Sequence, residues 1–387
     1  MMLDMHGGSV GRGDHGGGGV TILDAHGHEA APLTAYERRW AESVDSGKVL
    51  AAYQELQRRQ ALPLADKVAM SLDRIRDWYE AWGGLVSIAD SGGKDSQVLT
   101  WLVRQIYPDV PAVFCHTGLE YPEILRLVKA TPNHVILHPR IPFHQVIRDY
   151  GWPIASKKIA RGVNILRNPT ERNKNIWRLY DQGINRYGKE VHGFKVPNQW
   201  RFLVHAPFSV SDHCCQVMKK GPSSTYEKAT GRKPFVGTLA ADSKARQRTY
   251  LQTGCNAYDQ QHPRSAPLSF WTEQDILQCI RENRIPIPSV YGQIVEVNGR
   301  LVTTGVRRTG CVFCCFGLHL DHLDGPENRF QRLARTHPNL HRYCMDKLGL
   351  RQVLAYCRDA APPRLAQRFV WEPRQVLRQG NLMEVAG

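Results

Sequence analysis

The sequence predicts an α/β protein built on a doubly wound parallel sheet with a Rossmann-like order of elements. Two observations lead there. Short apolar runs, each long enough for one buried strand, alternate with stretches whose apolar residues recur at helix spacing. The first of these runs passes directly into a glycine loop and then into an amphipathic stretch, the order of a strand–loop–helix unit.

Each element follows in turn. Residues 1–33 are rich in Gly and His, cannot bury a core, and are expected to be a disordered tail. Residues 34–82 read as a helical N-terminal segment, with Leu50, Tyr53 and Leu56, then Val68, Leu72, Ile75 and Trp78, at helical spacing and Pro63 between the two helices. The run 85–89, bounded by Gly83 and Gly84, is the first strand. After the loop, Val98, Leu99, Leu102, Val103 and Ile106 share one face of a helix over 97–106. Residues 112–116, 135–137 and 235–237 supply three further strands. The polar stretch 166–200 has no clean period and reads as part of an irregular insertion near 160–215. A helix is expected over 272–283, with Ile276, Leu277 and Ile280 inward and Thr272 as its cap. Residues 327–358 read as helical again. The domain plan is a nucleotide-binding α/β domain at 83–300 and a Cys-cluster and helical region at 301–387.

Composition narrows the class. The chain has 387 residues, 42% hydrophobic and 22% charged, and a formal net charge of +15. Such a balance suits an anionic partner, though many basic proteins bind no nucleic acid. No apolar run reaches the roughly 18 residues that span a bilayer, and the Gly- and His-rich first residues lack the apolar stretch expected of a secretory signal. The expected location is the cytoplasm, with no membrane partner. There, ten cysteines are better read as metal or thiol chemistry where they cluster, and as small buried hydrophobes where they stand alone, as at Cys115, Cys279 and Cys357.

The loop Ser91-Gly92-Gly93-Lys94-Asp95-Ser96 carries the clearest chemistry. Gly92 and Gly93 permit a tight turn and close approach of a ligand. Free amides at the start of the following helix are expected to face phosphates, aided by the helix dipole. Ser91 and Ser96 can donate further hydrogen bonds, Lys94 can neutralise phosphate charge, and Asp95 can help to hold Mg²⁺. The spacing is not that of the Walker loop. It resembles the PP-loop of the ATP-pyrophosphatase superfamily, whose members share an adenine-nucleotide α-hydrolase fold. That resemblance implies ATP and Mg²⁺ as cofactors and Lys94, Asp95 and Ser96 as catalytic residues.

Further segments over roughly residues 80–320 resemble the sulfonucleotide (adenylyl and phosphoadenylyl sulfate) reductase branch. Thr117-Gly118 with Pro122-Glu123 is similar to its first substrate segment. Gly237, Asp242, Ser243 and Arg246 are similar to its second. Pro267-Leu268, Trp271 and Asp275 resemble its Pro-Leu…Trp…Asp signature. Cys214-Cys215 and the pair Cys311 and Cys314 resemble the four ligands of that branch's [4Fe–4S] cluster, with Lys219 as the basic neighbour. Zinc on the same thiols and unligated cysteines remain alternatives, and Cys315 is an extra neighbour at one end. The sequence also departs from the reductases. No cysteine follows Cys357, Leu239 stands where they tend to carry arginine, and His116 replaces an aspartate before Thr117-Gly118.

These departures direct the reading to a related branch that keeps loop and cluster but uses ATP, the sulfur-incorporation component of DNA phosphorothioation systems. It implies adenylation of a substrate oxygen, DNA as the acceptor, a cysteine desulfurase as the sulfur donor, and other phosphorothioation components as partners. Lys157, Lys158, Arg161, Lys219, Lys220, Lys244, Arg246, Arg248, Arg307 and Arg308 are candidates for a basic path. The alternatives are a reductase of adenylylated sulfate, an ATP-dependent tRNA thiolase, and a nucleotide-binding scaffold without turnover.

Overall fold

The computed structural model describes residues 46–323 and 325–373. The expected tail at 1–33, and the helical segment before Ser46, lie outside the described residues. Two compact units part between Pro63 and Leu64. The first holds the helix Ser46–Ala61. There Glu55 meets Arg58 at 2.8 Å and Arg59 at 2.6 Å, and the Arg58 hydrogen bond leads in holding the Glu55 carboxyl down to about 2. The second unit opens with the helix Leu64–Ala81, so the helical segment expected at 34–82 is divided at Pro63.

The strands of the second unit are β1 (Val86–Asp90), β2 (Ala112–Cys115), β3 (His134–Leu137), β4 (Ile154–Ala155), β5 (Lys233–Val236), β6 (Asn256–Ala257), β7 (Arg264–Ser265), β8 (Ile294–Val297), β9 (Arg300–Thr303) and β10 (Cys315–Phe316). Six form the central sheet in the order β3-β2-β1-β5-β7-β6. Pairing is parallel except between β6 and β7. The register sets Ile88 opposite Ala112 on one side and Phe235 on the other. This is the α/β, Rossmann-like class that the alternation of strands and helices predicts. The first four expected strands are found, each within a residue or two of its expected ends.

Side-chain periodicity explains the layers. In the helix Lys94–Ile106, Val98, Leu99, Leu102 and Val103 have no exposed surface, so one face is sealed against neighbouring elements. The helix Glu273–Asn283 begins as expected at Thr272, whose hydroxyl accepts from the Asp275 amide at 3.3 Å while the Asp275 carboxylate accepts from the Thr272 amide at 2.6 Å. Asp275 also meets Lys67 at 2.7 Å in a buried ion pair. Trp271 donates to Ser71 at 2.9 Å, and Ser71 donates to the Pro267 carbonyl at 3.0 Å. The Pro-Leu…Trp…Asp segment thus anchors the helix Leu64–Ala81.

The insertion is more regular than its composition suggests. It holds the helices Lys157–Arg167 and Lys174–Gln182 and a 3-10 turn at Asn198–His205. Only Tyr180 of Lys174–Gln182 is buried, which explains the weak apolar period. The hairpin β8–β9 was also not anticipated, although Asn298 and Gly299, at φ 50° and 71°, are a strong turn signal. The boundary expected at 300/301 falls inside β9. Residues 327–358 are helical in pieces, interrupted at Pro338 and Gly349. β10 pairs with β4 outside the main sheet, and a hydrophobic core made of residues from Phe114 to Trp371 includes Cys214, Cys315, Cys344 and Cys357. No helix among the described residues is long and apolar enough to cross a membrane.

Candidate functional site

β1 lies between β2 and β5, the point where the winding of the sheet turns from one side to the other. The carboxyl ends of such strands flank a crevice suited to ligands. The loop Ser91–Ser96 starts there. Gly92 has φ +68°, and a Cβ on it would lie 2.2 Å from Ile124 Cγ2, so backbone and packing both demand glycine. Gly237, just past β5, would place a Cβ 3.1 Å from the Asp95 carbonyl oxygen. Its role is the close approach of β5 to the first helical turn.

Asp90, the last residue of β1, ties the loop together and was not singled out from sequence. Its carboxylate accepts from the Gly92 amide and the Ser96 hydroxyl, both at 2.7 Å, and faces His134 Nε2 at 2.7 Å. Burial alone would raise this carboxyl, but the His134 and Ser96 hydrogen bonds and the Gly92 amide hold it below the usual carboxylate range. Without a ligand, two groups expected to meet phosphate are already engaged. The Ser96 hydroxyl is directed inward to Asp90 and the Gly93 carbonyl. The loop amides are also engaged: Gly92 donates to Asp90, Gly93 to Ser91 Oγ at 3.3 Å, and Lys94 to the Tyr291 hydroxyl at 3.1 Å. A phosphate that takes these amides must displace partners already in place.

Lys94 is buried, with Nζ 3.0 Å from Asp95 Oδ1 and 3.5 Å from Glu273 Oε1. Burial disfavours its charge, but the two carboxylates outweigh this and raise its pKa. Glu273 also meets Arg307 at 2.8 Å. Burial works to raise its carboxyl, and Arg307 and Lys94 hold it low. Tyr291 and Glu273 come from distant sequence and were missed. Glu273 had one signal, its place in the first turn of a capped helix.

The second expected segment folds as a local turn. Ser243 caps the helix Lys244–Thr253 by accepting from the Arg246 amide. Asp242 is bound by Arg246 and, at 2.7 Å, by Arg308. The Thr117-Gly118 segment is organised by Glu120, which accepts from the Thr117 amide and hydroxyl and faces His116 Nδ1 at 3.3 Å.

The cysteine segment connects directly to the loop. Thr309 Oγ1 lies 3.0 Å from the Tyr291 hydroxyl and 3.2 Å from the Cβ position of Gly93. Two residues later Cys311 begins a turn in which the Cys314 amide donates to the Cys311 carbonyl at 3.0 Å. The Val312 amide donates to the Leu119 carbonyl at 2.8 Å, and Arg329 donates to the Cys314 carbonyl at 2.9 Å. Burial first, and the neighbouring cysteines with it, raise the thiols of Cys214, Cys311 and Cys314, that of Cys314 to about 11. Cys214, Cys215, Cys311 and Cys314 therefore share one electrostatic neighbourhood. Burial disfavours the charge of Lys219, but Cys311 and Glu120 outweigh this and raise its pKa; Arg161 pairs with Asp212 at 2.7 Å. Among the described residues, no group of three or more His, Cys, Asp or Glu side chains that could hold a metal ion is found. Cys115 is a correction: it is half-buried, 3.3 Å from Ser223 Oγ and 3.5 Å from the Lys219 carbonyl, beside the cluster rather than in an apolar core. Cys315 is fully buried in the same hydrophobic core that includes Cys214.

The profile of the phosphoadenosine phosphosulfate reductase domain matches residues 86–159 and 185–316, together more than half of the chain. A solved structure similar to the chain is the phosphoadenylyl-sulfate (PAPS) reductase from Candida auris in its phosphate complex, at 13% identity and a TM-score of 0.33, covering 59% of this chain and 89% of that one. No curated protein matches. On the profile match over more than half of its length, the chain belongs to the phosphoadenosine phosphosulfate reductase domain family, enzymes that use nucleotides in sulfur chemistry.

Proposed function

We propose that this protein is an ATP pyrophosphatase that adenylates an acceptor oxygen for sulfur transfer, with a DNA phosphate as the acceptor. The observation that carries this reading is the position of Lys94. Its ammonium sits between Asp95 and Glu273 at the end of β1, and the loop is joined through Tyr291 and Thr309 to the segment bearing Cys311. Nucleotide phosphates would take the loop amides, and Lys94 would turn to them, stabilising charge on the leaving pyrophosphate. Asp95 and Glu273, which already face a cation, suit Mg²⁺, which would neutralise phosphate charge. The acceptor oxygen attacks the α-phosphorus, the bond to the bridging oxygen breaks, and pyrophosphate leaves. The terminal sulfur of a persulfide, supplied by a cysteine desulfurase, then attacks the acceptor phosphorus and expels AMP. A second thiol opens the remaining S–S bond, leaving the phosphorothioate and a disulfide.

The resemblance to the cluster-bearing reductases is what supports Cys214, Cys215, Cys311 and Cys314 as the thiols that would hold a [4Fe–4S] cluster, with Lys219 beside them; as folded here, their side chains do not form a metal-holding group. The cluster would supply iron-bound sulfur chemistry next to the nucleotide. A second reading, thiol-dependent reduction of an adenylylated sulfate, is favoured by the family itself.

The test is pyrophosphate release from ATP by anaerobically purified protein, alone and with DNA and a desulfurase, beside Lys94→Ala. Release that disappears in the variant is expected. Sulfite release from a sulfonucleotide without ATP, with no pyrophosphate under any condition, would establish the reductase instead.

A further inference from the structure

A cleft of about 780 Å³ opens beside the nucleotide loop. Its walls are the β8–β9 hairpin, the link from Gly305 to Val312 and the helix Arg329–Thr336. Five arginines line it: Arg300, Arg307, Arg308, Arg329 and Arg332. Three of them are held in place by carboxylates, Arg307 by Glu273, Arg308 by Asp242 and Arg329 by Asp321, at 2.6 to 2.8 Å. Arg300 and Arg332 have no ion pair or hydrogen bond from their side chains among the described residues. Arg300 is exposed near the hairpin tip, and Arg332 is half-buried on the facing helix. The cleft also presents the exposed aliphatic residues Val297, at 50% exposure, and Leu323, at 71%. Thr309, Gly310 and Cys311 belong to the same lining, and so does Glu273, which touches Lys94.

We propose that this cleft binds the phosphodiester backbone of the acceptor DNA and carries it to the point between Lys94 and Cys311. Arginines spread over three separate elements suit a row of phosphates better than one small anion, because a single anion is within reach of only some of them. The paired arginines are pre-oriented, and the two unpaired ones carry charge that a backbone phosphate would neutralise. The exposed aliphatic residues offer apolar contact to sugars and bases. The sulfur acceptor then meets the activated nucleotide on one side and the cysteine segment on the other. The inference rests on the sulfur-transfer reading above and names the surface by which its acceptor arrives.

The experiment is a fluorescence titration of labelled single-stranded and duplex DNA with the full-length protein at several salt concentrations. Arg300→Ala and Arg332→Ala are compared with Arg351→Ala, a charge-matched substitution away from the cleft, after thermal unfolding shows that all three fold. Each cleft substitution is expected to weaken binding about threefold to tenfold and to lower the slope of log K against log salt by about one, with the control unchanged. DNA binding that is the same in all variants would overturn the cleft and leave the ATP chemistry standing. Binding of an RNA of the same sequence but not of DNA would overturn the DNA assignment. Full competition by a phosphosulfate nucleotide at concentrations where AMP has no effect would show a small-anion site instead. Pyrophosphate release, measured separately with Lys94→Ala, shows whether the catalytic reading fails independently.

Discussion

Replacing Tyr291 by Phe removes one oxygen atom from the centre of the candidate site. That hydroxyl accepts from the Lys94 amide at 3.1 Å and lies 3.0 Å from Thr309 Oγ1, and the ring is 2% exposed. The ring of Phe fills the same core space, so the substitution isolates the hydrogen bonds. A nucleotide phosphate seated on the helix N-terminus needs the Lys94 amide and must first break its bond to Tyr291. A neutral hydrogen bond of this kind contributes about 0.5–1.5 kcal/mol net. Without it, ATP should bind about 2- to 10-fold more tightly, while the ligand-free protein loses about 1 kcal/mol of stability. Isothermal titration with ATP and Mg²⁺, beside urea unfolding of the same preparation, measures both. Tighter binding with lower stability is the expected pair. Weaker binding together with the expected loss of stability would refute the displacement, because the hydroxyl would then be a ligand contact.

Three further outcomes are expected. Gly92→Ala combines a left-handed backbone with a contact of 2.2 Å to the buried Ile124, and should cost about 2–5 kcal/mol by urea unfolding; a cost below about 1 kcal/mol would show that the loop relaxes freely. Lys67→Met leaves Asp275 buried without its partner at 2.7 Å and should destabilise by about 3–5 kcal/mol, much of it recovered in Lys67→Met/Asp275→Asn. The Asp90 carboxyl is lower in the folded than in the unfolded protein, so its contribution is present above about pH 4 and fades as pH falls through the folded value. Acid unfolding of Asp90→Asn should therefore depend less steeply on pH below 4 than that of the wild type, and equal slopes would contradict this role.

Much of the site was legible because it is local. The apolar run of β1, the glycine pair after it and the 3.6-residue period of Lys94–Ile106 lie within about twenty consecutive residues, and each acts over one or two turns. The cap at Thr272 was legible for the same reason, since a capping box spans four residues. The short helix Lys174–Gln182 escaped notice because it buries a single side chain and so leaves almost no apolar period to read.

The sequence by itself determined the class of fold, the loop at the end of β1 and the pairing of glycine freedom with a following helix, because hydrophobic period and backbone sterics act between near neighbours. Only the tertiary structure decided that Ser96 turns inward, that Tyr291 occupies an amide of the loop, that Glu273 shares Lys94 with Asp95, and that Cys115 stands beside the cysteine segment. Tyr291 and Lys94 are 197 positions apart. Contacts at such separation arise from how the sheet is wound and where the connections return, which no short window of sequence encodes.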